Sequence, residues 1–189
     1  MREISTRLEK VSKFLSLVLR HKPDAAGITL DKHGWANVNE LVGAIRKTRE
    51  PTFTHDDLTL IVVTDSKGRY SFDDSGKRIR ANQGHSVEVD VELAEAEPPV
   101  LLYHGTATKY IDSIEDVGLI PKSRLYVHLS DNAVTATDVG GRHGKPVVYT
   151  IHAKKMHDDG YKFYRSVNGV WLTREVPTKY FVDKIMDRT

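Results

Sequence analysis

Cysteine is absent from all 189 residues, which excludes disulfides, thiolate metal sites and a cysteine nucleophile. No apolar run approaches the roughly 20 residues that cross a bilayer, and Met1-Arg2-Glu3 does not open a signal peptide. The expectation is a cytoplasmic protein with no membrane partner. The Rossmann pattern GxGxxG is missing. Gly140-Gly141-Arg142-His143-Gly144-Lys145 has the outline of a phosphate loop, but its spacing is one residue short and Pro146 stands at the Ser/Thr position. Nine histidines are present without HExxH or any comparable ligand spacing, so no metal is expected. The net charge is only +2, low for a protein that coats nucleic acid non-specifically. Positive charge that meets a polyanion here has to be focused.

What the chain does have is ordinary soluble composition, 39% hydrophobic and 29% charged, enough to bury one large core or two small ones. Leu8, Val11, Phe14, Leu15, Val18 and Leu19 follow a helical period behind Thr6 and Glu9, which have capping-box spacing, and Pro23 ends the run. A second helix is expected from Asn37, burying Val38, Leu41, Val42 and Ile45, and a third from Thr54, burying Leu58, Ile61 and Val62. Lys67-Gly68 turns into a strand over 69–72, and Asp73-Asp74-Ser75-Gly76 turns again. Three helices and a β-wing predict a winged-helix lobe over 1–93. Ala94-Glu95-Ala96-Glu97-Pro98-Pro99, acidic and proline-terminated, reads as a linker. Beyond it, over 100–189, strands are expected at 100–103, 126–129, 146–153, 163–164, 169–173 and 180–185. Helices are expected at 109–117 and 132–139. The chain as a whole is α+β.

Two strings fit no folding requirement. Leu19-Arg20-His21-Lys22-Pro23 sets a guanidinium beside an imidazole where an apolar helix stops, a good place to hold a phosphate. Ile79-Arg80-Ala81-Asn82-Gln83-Gly84-His85-Ser86 is amide-rich and broken by glycine. Taken singly, each feature has an ordinary structural account. Arg20 and His21 complement a helix dipole, Arg69 and Arg124 are solvated surface charge, and His85 is a satisfied core histidine.

These two strings occur in order with Leu101-Leu102-Tyr103-His104-Gly105-Thr106, Tyr126-Val127-His128-Leu129-Ser130 and Asn168-Gly169-Val170-Trp171-Leu172-Thr173. Together they resemble the NAD-dependent RNA 2′-phosphotransferases of the tRNA-splicing type over nearly the whole chain. The resemblance implies an N-terminal winged-helix RNA lobe and a C-terminal ADP-ribosyltransferase-like lobe of mixed β structure, with NAD as co-substrate and no metal. It implies a 2′-phosphate inside a tRNA-like RNA as the target. A monomer is expected. The internal 2′-phosphate attacks the anomeric carbon of the NAD ribose and nicotinamide leaves. The neighbouring ribose hydroxyl then attacks phosphorus, giving 2′-OH RNA and ADP-ribose 1″,2″-cyclic phosphate.

The family's Arg-His-Arg-Arg set falls on Arg20, His21, Arg69 (in Lys67-Gly68-Arg69-Tyr70) and Arg124, which together close round one phosphate. A phosphomonoester dianion needs several cationic donors in fixed geometry, and arginine can bind two oxygens in one plane. His104, Gly105 and Thr106 resemble the first ADP-ribosyltransferase motif, in which the glycine backbone receives the nicotinamide amide and the histidine bonds the ribose. His128 and Ser130 share one face of a strand and continue the NAD site. Arg142 and His143, in a glycine-flanked loop, are candidates for the diphosphate, and Trp171 is read as core. The sequence departs from the family pattern at Tyr126, where histidine is common, and at Tyr70, where phenylalanine is usual. The competing readings are an ADP-ribosyltransferase that acts on protein or a nucleic-acid terminal phosphate and stops after one transfer, and a non-catalytic nucleic-acid binder. A clamp of few contacts predicts a shallow salt dependence.

Overall fold

The computed structural model describes residues 6–186; Met1-Arg2-Glu3 and the last residues of the 100–189 lobe lie outside them. The chain divides into two compact units, Met1–Glu92 and Leu93–Thr189. Six α-helices and three antiparallel sheets are present among the described residues, a mixed α+β composition. No helix among them is long and apolar enough to cross a membrane.

In the first unit the expected periods become α1 (Thr6–Arg20), α2 (Val38–Thr48) and α3 (His55–Thr64). Asn37 caps α2 by accepting from the Asn39 and Glu40 amides, and Thr54 with Asp57 forms a reciprocal capping box on α3. Such caps satisfy amides that have no partner within the helix. Leu15, Leu19, Leu41, Ile45, Leu58 and Ile79 are fully buried in one cluster, whereas Val62 only packs against its edge. Three short strands, β1 (Ala36–Asn37), β2 (Tyr70–Phe72) and β3 (Arg78–Ala81), pair in the order β1-β3-β2. Pro23 ends α1 and then starts a short 3-10 turn through Ala26, the position where its missing N–H costs nothing.

The second unit starts earlier than its composition suggests. Ala94–Glu95 is a strand, β4, paired with β8 (Phe163–Arg165), and Glu95 holds Lys162 at 2.9 Å. Backbone pairing is indifferent to the acidic, small side chains that read as a linker. Strand β5 runs over Leu102–Ala107, later than expected, and leaves Val100 58% exposed. It pairs with β7 (Pro146–Ile151), which pairs in turn with β10 (Phe181–Met186). The second sheet runs β4-β8-β9-β6, with β6 at Val127–Leu129 and β9 at Trp171–Thr173. Helix α4 (Ile111–Val117) is stopped by Gly118 at φ +80°. Helix α5 (Ala133–Gly141) is capped by Asn132, and α6 (Ala153–Asp158) follows β7. Helix α6 is absent from the sequence-based expectations because its cap is the His152 ring, which accepts from the Lys155 amide and gives none of the usual start signals.

Candidate functional site

In the first unit, the string 79–86 is a brace for the residues expected to hold phosphate. Asn82 is 5% exposed. It donates its side-chain amide to the Gly68 carbonyl at 2.7 Å and its backbone N–H to the Arg69 carbonyl at 2.9 Å. Four residues on, Ser86 donates its backbone N–H to the Arg20 carbonyl at 2.9 Å, and its hydroxyl meets His21 Nδ1 at 2.9 Å. Between them Gly84 turns at φ +89°, with the Arg20 guanidinium in van der Waals contact, 3.7 Å from where a Cβ would sit. Only glycine adopts that backbone freely. One segment thus fixes the backbones of both Arg20 and Arg69.

The two guanidinium carbons stand 5.9 and 5.5 Å from the centroid of a single ring, Tyr70. Tyr70 is 4% exposed; its hydroxyl donates to the Ser12 carbonyl at 3.2 Å and meets Ser16 Oγ. The hydroxyl therefore secures the ring on α1, and the ring supplies the surface over which both arginines lie. Arg69 is oriented from behind by Asp65, whose side chain is 4% exposed. The carboxylate receives Nε at 3.0 and 3.1 Å and Nη2 at 2.9 Å. Burial works to raise the Asp65 pKa, but the bonds from Arg69 more than offset it and hold the carboxyl below its usual range. With Nε and one Nη2 position committed to Asp65, the opposite edge of the guanidinium, led by Nη1, is the one this carboxylate does not engage.

His85 is 2% exposed, and its Nε2 has no hydrogen-bond partner, so it is a core histidine but not a satisfied one. Burial first, then the charges of Arg20, His21 and Arg80, push its pKa down to about 4. The neutral ring is the form that folds, so its contribution to stability is fully present above the unfolded value near 6.5. That contribution is lost as pH falls from there through about 4, because the unfolded chain then binds a proton that the folded chain does not. A tenfold difference in proton affinity is worth ~1.4 kcal/mol. Across the interval from 6.5 to about 4 the wild type therefore loses about 3 kcal/mol of unfolding free energy. His85→Gln flattens that slope; an unchanged slope would remove His85 as its source.

The second unit carries the other expected residues. Its two sheets touch at one bridge, Tyr103 with Ser130, through N–H···O bonds of 2.9 and 2.8 Å. One position along, His104 Nδ1 donates to the His128 carbonyl at 3.0 Å. Since a carbonyl can only accept, this bond places the proton on Nδ1. Burial pushes the His104 imidazole down, the bond to His128 opposes this, and the Arg124 charge adds to the depression. A neutral ring so fixed leaves Nε2 as an acceptor for a hydroxyl, which fits a sugar. His128 Nδ1 donates to the Tyr126 carbonyl at 3.0 Å. This bond uses backbone, so the tyrosine at 126 does not alter it; the ring instead lies under the Arg174 guanidinium at 4.4 Å and meets Tyr164 edge to face at 5.6 Å. Arg124 lies in the turn before β6, its N–H bonded to the Pro121 carbonyl at 2.9 Å.

Gly105 has a packing role that no sequence pattern announces. A Cβ there would lie 1.6 Å from the Ala136 carbonyl oxygen of α5, and a Cβ on Gly140 would lie 2.5 Å from the Thr106 carbonyl oxygen. Thr106 is itself 7% exposed. Gly140 and Gly141 close α5 rather than forming a loop, so Arg142 is the cap of its C-terminus and His143 follows. Both are exposed. The helix dipole there is negative, so an anion would be held by these side chains alone. Trp171 is 6% exposed within the core. No group of three or more His, Asp or Glu placed to hold a metal occurs among the described residues. Ser86, Asn82, Gly84 and Asp65 are not among the site residues expected from sequence; the position of three of them inside one unexplained string is the available signal.

The chain matches the family described as RNA 2′-phosphotransferase, Tpt1 / KptA family, over residues 6–175. It is 53% identical over 175 residues to the "Probable RNA 2′-phosphotransferase" of Nostoc punctiforme, covering 93% of this chain and 96% of that one. It is 47% identical over 174 residues to the protein of the same name from Streptomyces coelicolor (92% and 94%). It is 46% identical over 174 residues to that of Escherichia coli O9:H4 (92% and 94%). With this match over most of its length and these relatives covering more than nine-tenths of it, the chain belongs to the RNA 2′-phosphotransferase family.

Proposed function

We propose that the protein removes an internal 2′-phosphate from a tRNA-like RNA by transferring it to NAD, acting as a monomer in the cytoplasm. The observation that carries this reading is the brace over 82–86, which holds His21 and fixes Arg20 and Arg69 over one ring in a chain of this family. A dianionic phosphomonoester is the ligand for which several oriented cations are apt. The three helices and β2–β3 hairpin are read as a winged helix, and the second unit, where Tyr103 of β5 bridges to Ser130 just past β6, as an ADP-ribosyltransferase-like lobe.

In the first step a 2′-phosphate oxygen bonds to the anomeric carbon of the nicotinamide ribose, and nicotinamide leaves with the C–N electron pair. In the second, the adjacent 2″-hydroxyl attacks phosphorus and the RNA 2′-oxygen leaves, taking up a proton. Arg20, His21, Arg69 and Arg124 hold the phosphate oxygens and meet the charge that develops at phosphorus. His104 Nε2 accepts from the ribose, the Gly105 backbone receives the nicotinamide amide, and Thr106, His128 and Ser130 continue the surface. Arg142 and His143 reach the diphosphate through their side chains. His21, its Nδ1 held by Ser86, presents Nε2 to the departing oxygen.

Incubation with NAD and a short 2′-phosphorylated oligonucleotide tests the reading. Free nicotinamide, 2′-OH RNA and cyclic-phosphate ADP-ribose are expected; a stable ADP-ribosylated RNA would replace the proposal with a single transfer. Ser86→Ala keeps the backbone bond to Arg20 but removes the one to His21. A neutral hydrogen bond is worth about 1–1.5 kcal/mol, so kcat falls roughly tenfold. Ser86→Thr restores it, and KM for RNA moves little.

A further inference from the structure

Outside the phosphate residues, the first unit has an open groove of about 800 Å³ lined by Lys10, Lys13, Phe14, Leu17, Arg49 and Glu50, with Thr6, Arg7 and Val11 at its head. Its floor is apolar: Val11 is 3% and Phe14 6% exposed, and the Arg49 guanidinium lies 4.4 Å from the Phe14 ring centroid. Its walls are cationic. Arg7 is neutralised by Glu50 and Asp57. Lys10, Lys13 and Arg49 are exposed, and among the described residues none of the three has a carboxylate partner within 4 Å. Such a surface combines unneutralised charge with a stacked arginine face, which suits a phosphodiester strand and its bases.

The position of the groove matters as much as its charge. Residues 6, 10, 13, 14 and 17 occupy one stripe of α1 by i,i+3 and i,i+4 spacing. From Leu17 the next two positions on that stripe are Arg20 and His21. At about 1.5 Å per residue, Lys13 lies roughly 10 Å and Lys10 roughly 15 Å along the helix from Arg20. A stacked strand rises about 3.4 Å per nucleotide, so roughly three nucleotides reach Lys13 and four or five reach Lys10. Two other surfaces of the unit are poorer alternatives. Helix α3, HDDLTLIVVT, contains no lysine or arginine and begins with two aspartates in its first turn. On the hairpin, Arg78 is paired with Asp31 and Asp73, and Arg80 with Glu92.

We infer that the RNA strand flanking the 2′-phosphate runs along the α1 groove, its backbone phosphates on Lys10, Lys13 and Arg49. This rests on the proposed RNA substrate and extends it from one phosphate to several nucleotides. The three side chains take no part in the phosphate or NAD chemistry, so they set affinity for RNA length and leave turnover alone.

The test uses the full chain and the variant Lys10→Gln/Lys13→Gln/Arg49→Gln, checked for an unchanged melting curve. Binding and turnover are measured with a 2′-phosphorylated dinucleotide and with a single strand of roughly twelve nucleotides bearing the phosphate mid-chain, between about 50 and 200 mM salt. Three contacts at about 0.7 each predict that the variant's log K against log[salt] slope for the longer RNA is shallower by about 2, with roughly tenfold weaker binding at low salt. Dinucleotide kinetics stay at wild-type values. Equal slopes for variant and wild type on the longer RNA, or an equal loss on both substrates, overturns the inference. If the wild type turns over neither substrate, the proposed reaction fails. The groove reading is then judged on binding of the longer RNA alone, where loss in the variant sustains it and no loss rejects it.

Discussion

Arg69→Lys is expected to lose roughly 100- to 1,000-fold in kcat/KM on a 2′-phosphorylated substrate while remaining folded. In the proposed reading the guanidinium does two things at once: Nε and Nη2 engage the buried Asp65, and the opposite edge is the one proposed to bind the phosphate. Lysine keeps the charge but has one nitrogen on a flexible stem, so it answers either the carboxylate or the phosphate. Asp65, being buried, takes precedence, because an unpaired buried carboxylate costs more than a ligand bond in an empty site. A charge-assisted bond is worth about 1.5–3 kcal/mol; losing two, each near the lower end because lysine keeps the charge, removes roughly 3–4 kcal/mol and gives the stated range. Arg124→Lys provides the cleaner companion. Among the described residues Arg124 has no carboxylate within 4 Å, so its replacement orphans nothing, and the melting curve should not move. If both lysine variants turn over like wild type, oriented bidentate binding is not how the phosphate is held.

Arg20 and Arg69 show what is legible in the sequence. The apolar periods of α1, α2 and α3 and the caps Asn37 and Thr54 are readable because they are local, and each involves residues within four positions. Arg20 and His21 stand out because they interrupt such a period at its end. The partners that give these residues their geometry are not local. Asn82 reaches Gly68 across 14 positions, Ser86 reaches His21 across 65, and Tyr70 reaches Ser12 across 58. Spacing rules carry no information at that range, so the 79–86 string can be recognised as unusual but not as a brace. The second unit is blurred for a related reason. Its strands are short, and the offset of β5 is set by pairing with β7, not by any residue of its own. Gly140 and Gly141 look like loop because glycine weakens helices; here their lack of a side chain is what the helix position requires.

Gly105→Ala should be the most damaging single methyl in the chain. The added carbon would lie 1.6 Å from the Ala136 carbonyl oxygen, 2.5 Å from its carbon and 3.0 Å from its Cα, all backbone atoms of α5 that no rotamer change can move. Gly140 makes the reciprocal approach, its Cβ position 2.5 Å from the Thr106 carbonyl oxygen and 3.0 Å from the Thr106 nitrogen. Helix and strand therefore meet backbone to backbone, and a methyl on either side forces them apart along their shared length. Ordinary overpacking costs about 1–3 kcal/mol; displacing a whole helix from a sheet belongs to the rarer class above about 4 kcal/mol. That is comparable to the whole margin of a domain of about 100 residues. Thermal unfolding should show the loss directly, with Gly140→Ala close behind. Gly141→Ala is the internal control: nothing lies within 4 Å of its Cβ position, and alanine favours a helix over glycine by up to about 1 kcal/mol, so its melting point holds or rises. A Gly105→Ala protein that melts with the wild type would refute the close approach. Loss of activity in that variant says nothing about nicotinamide by itself, because the side of Gly105 on which a side chain would stand is already filled by α5. A role of this residue toward NAD has to run through its backbone groups, and their reach is preserved only while the helix stays seated.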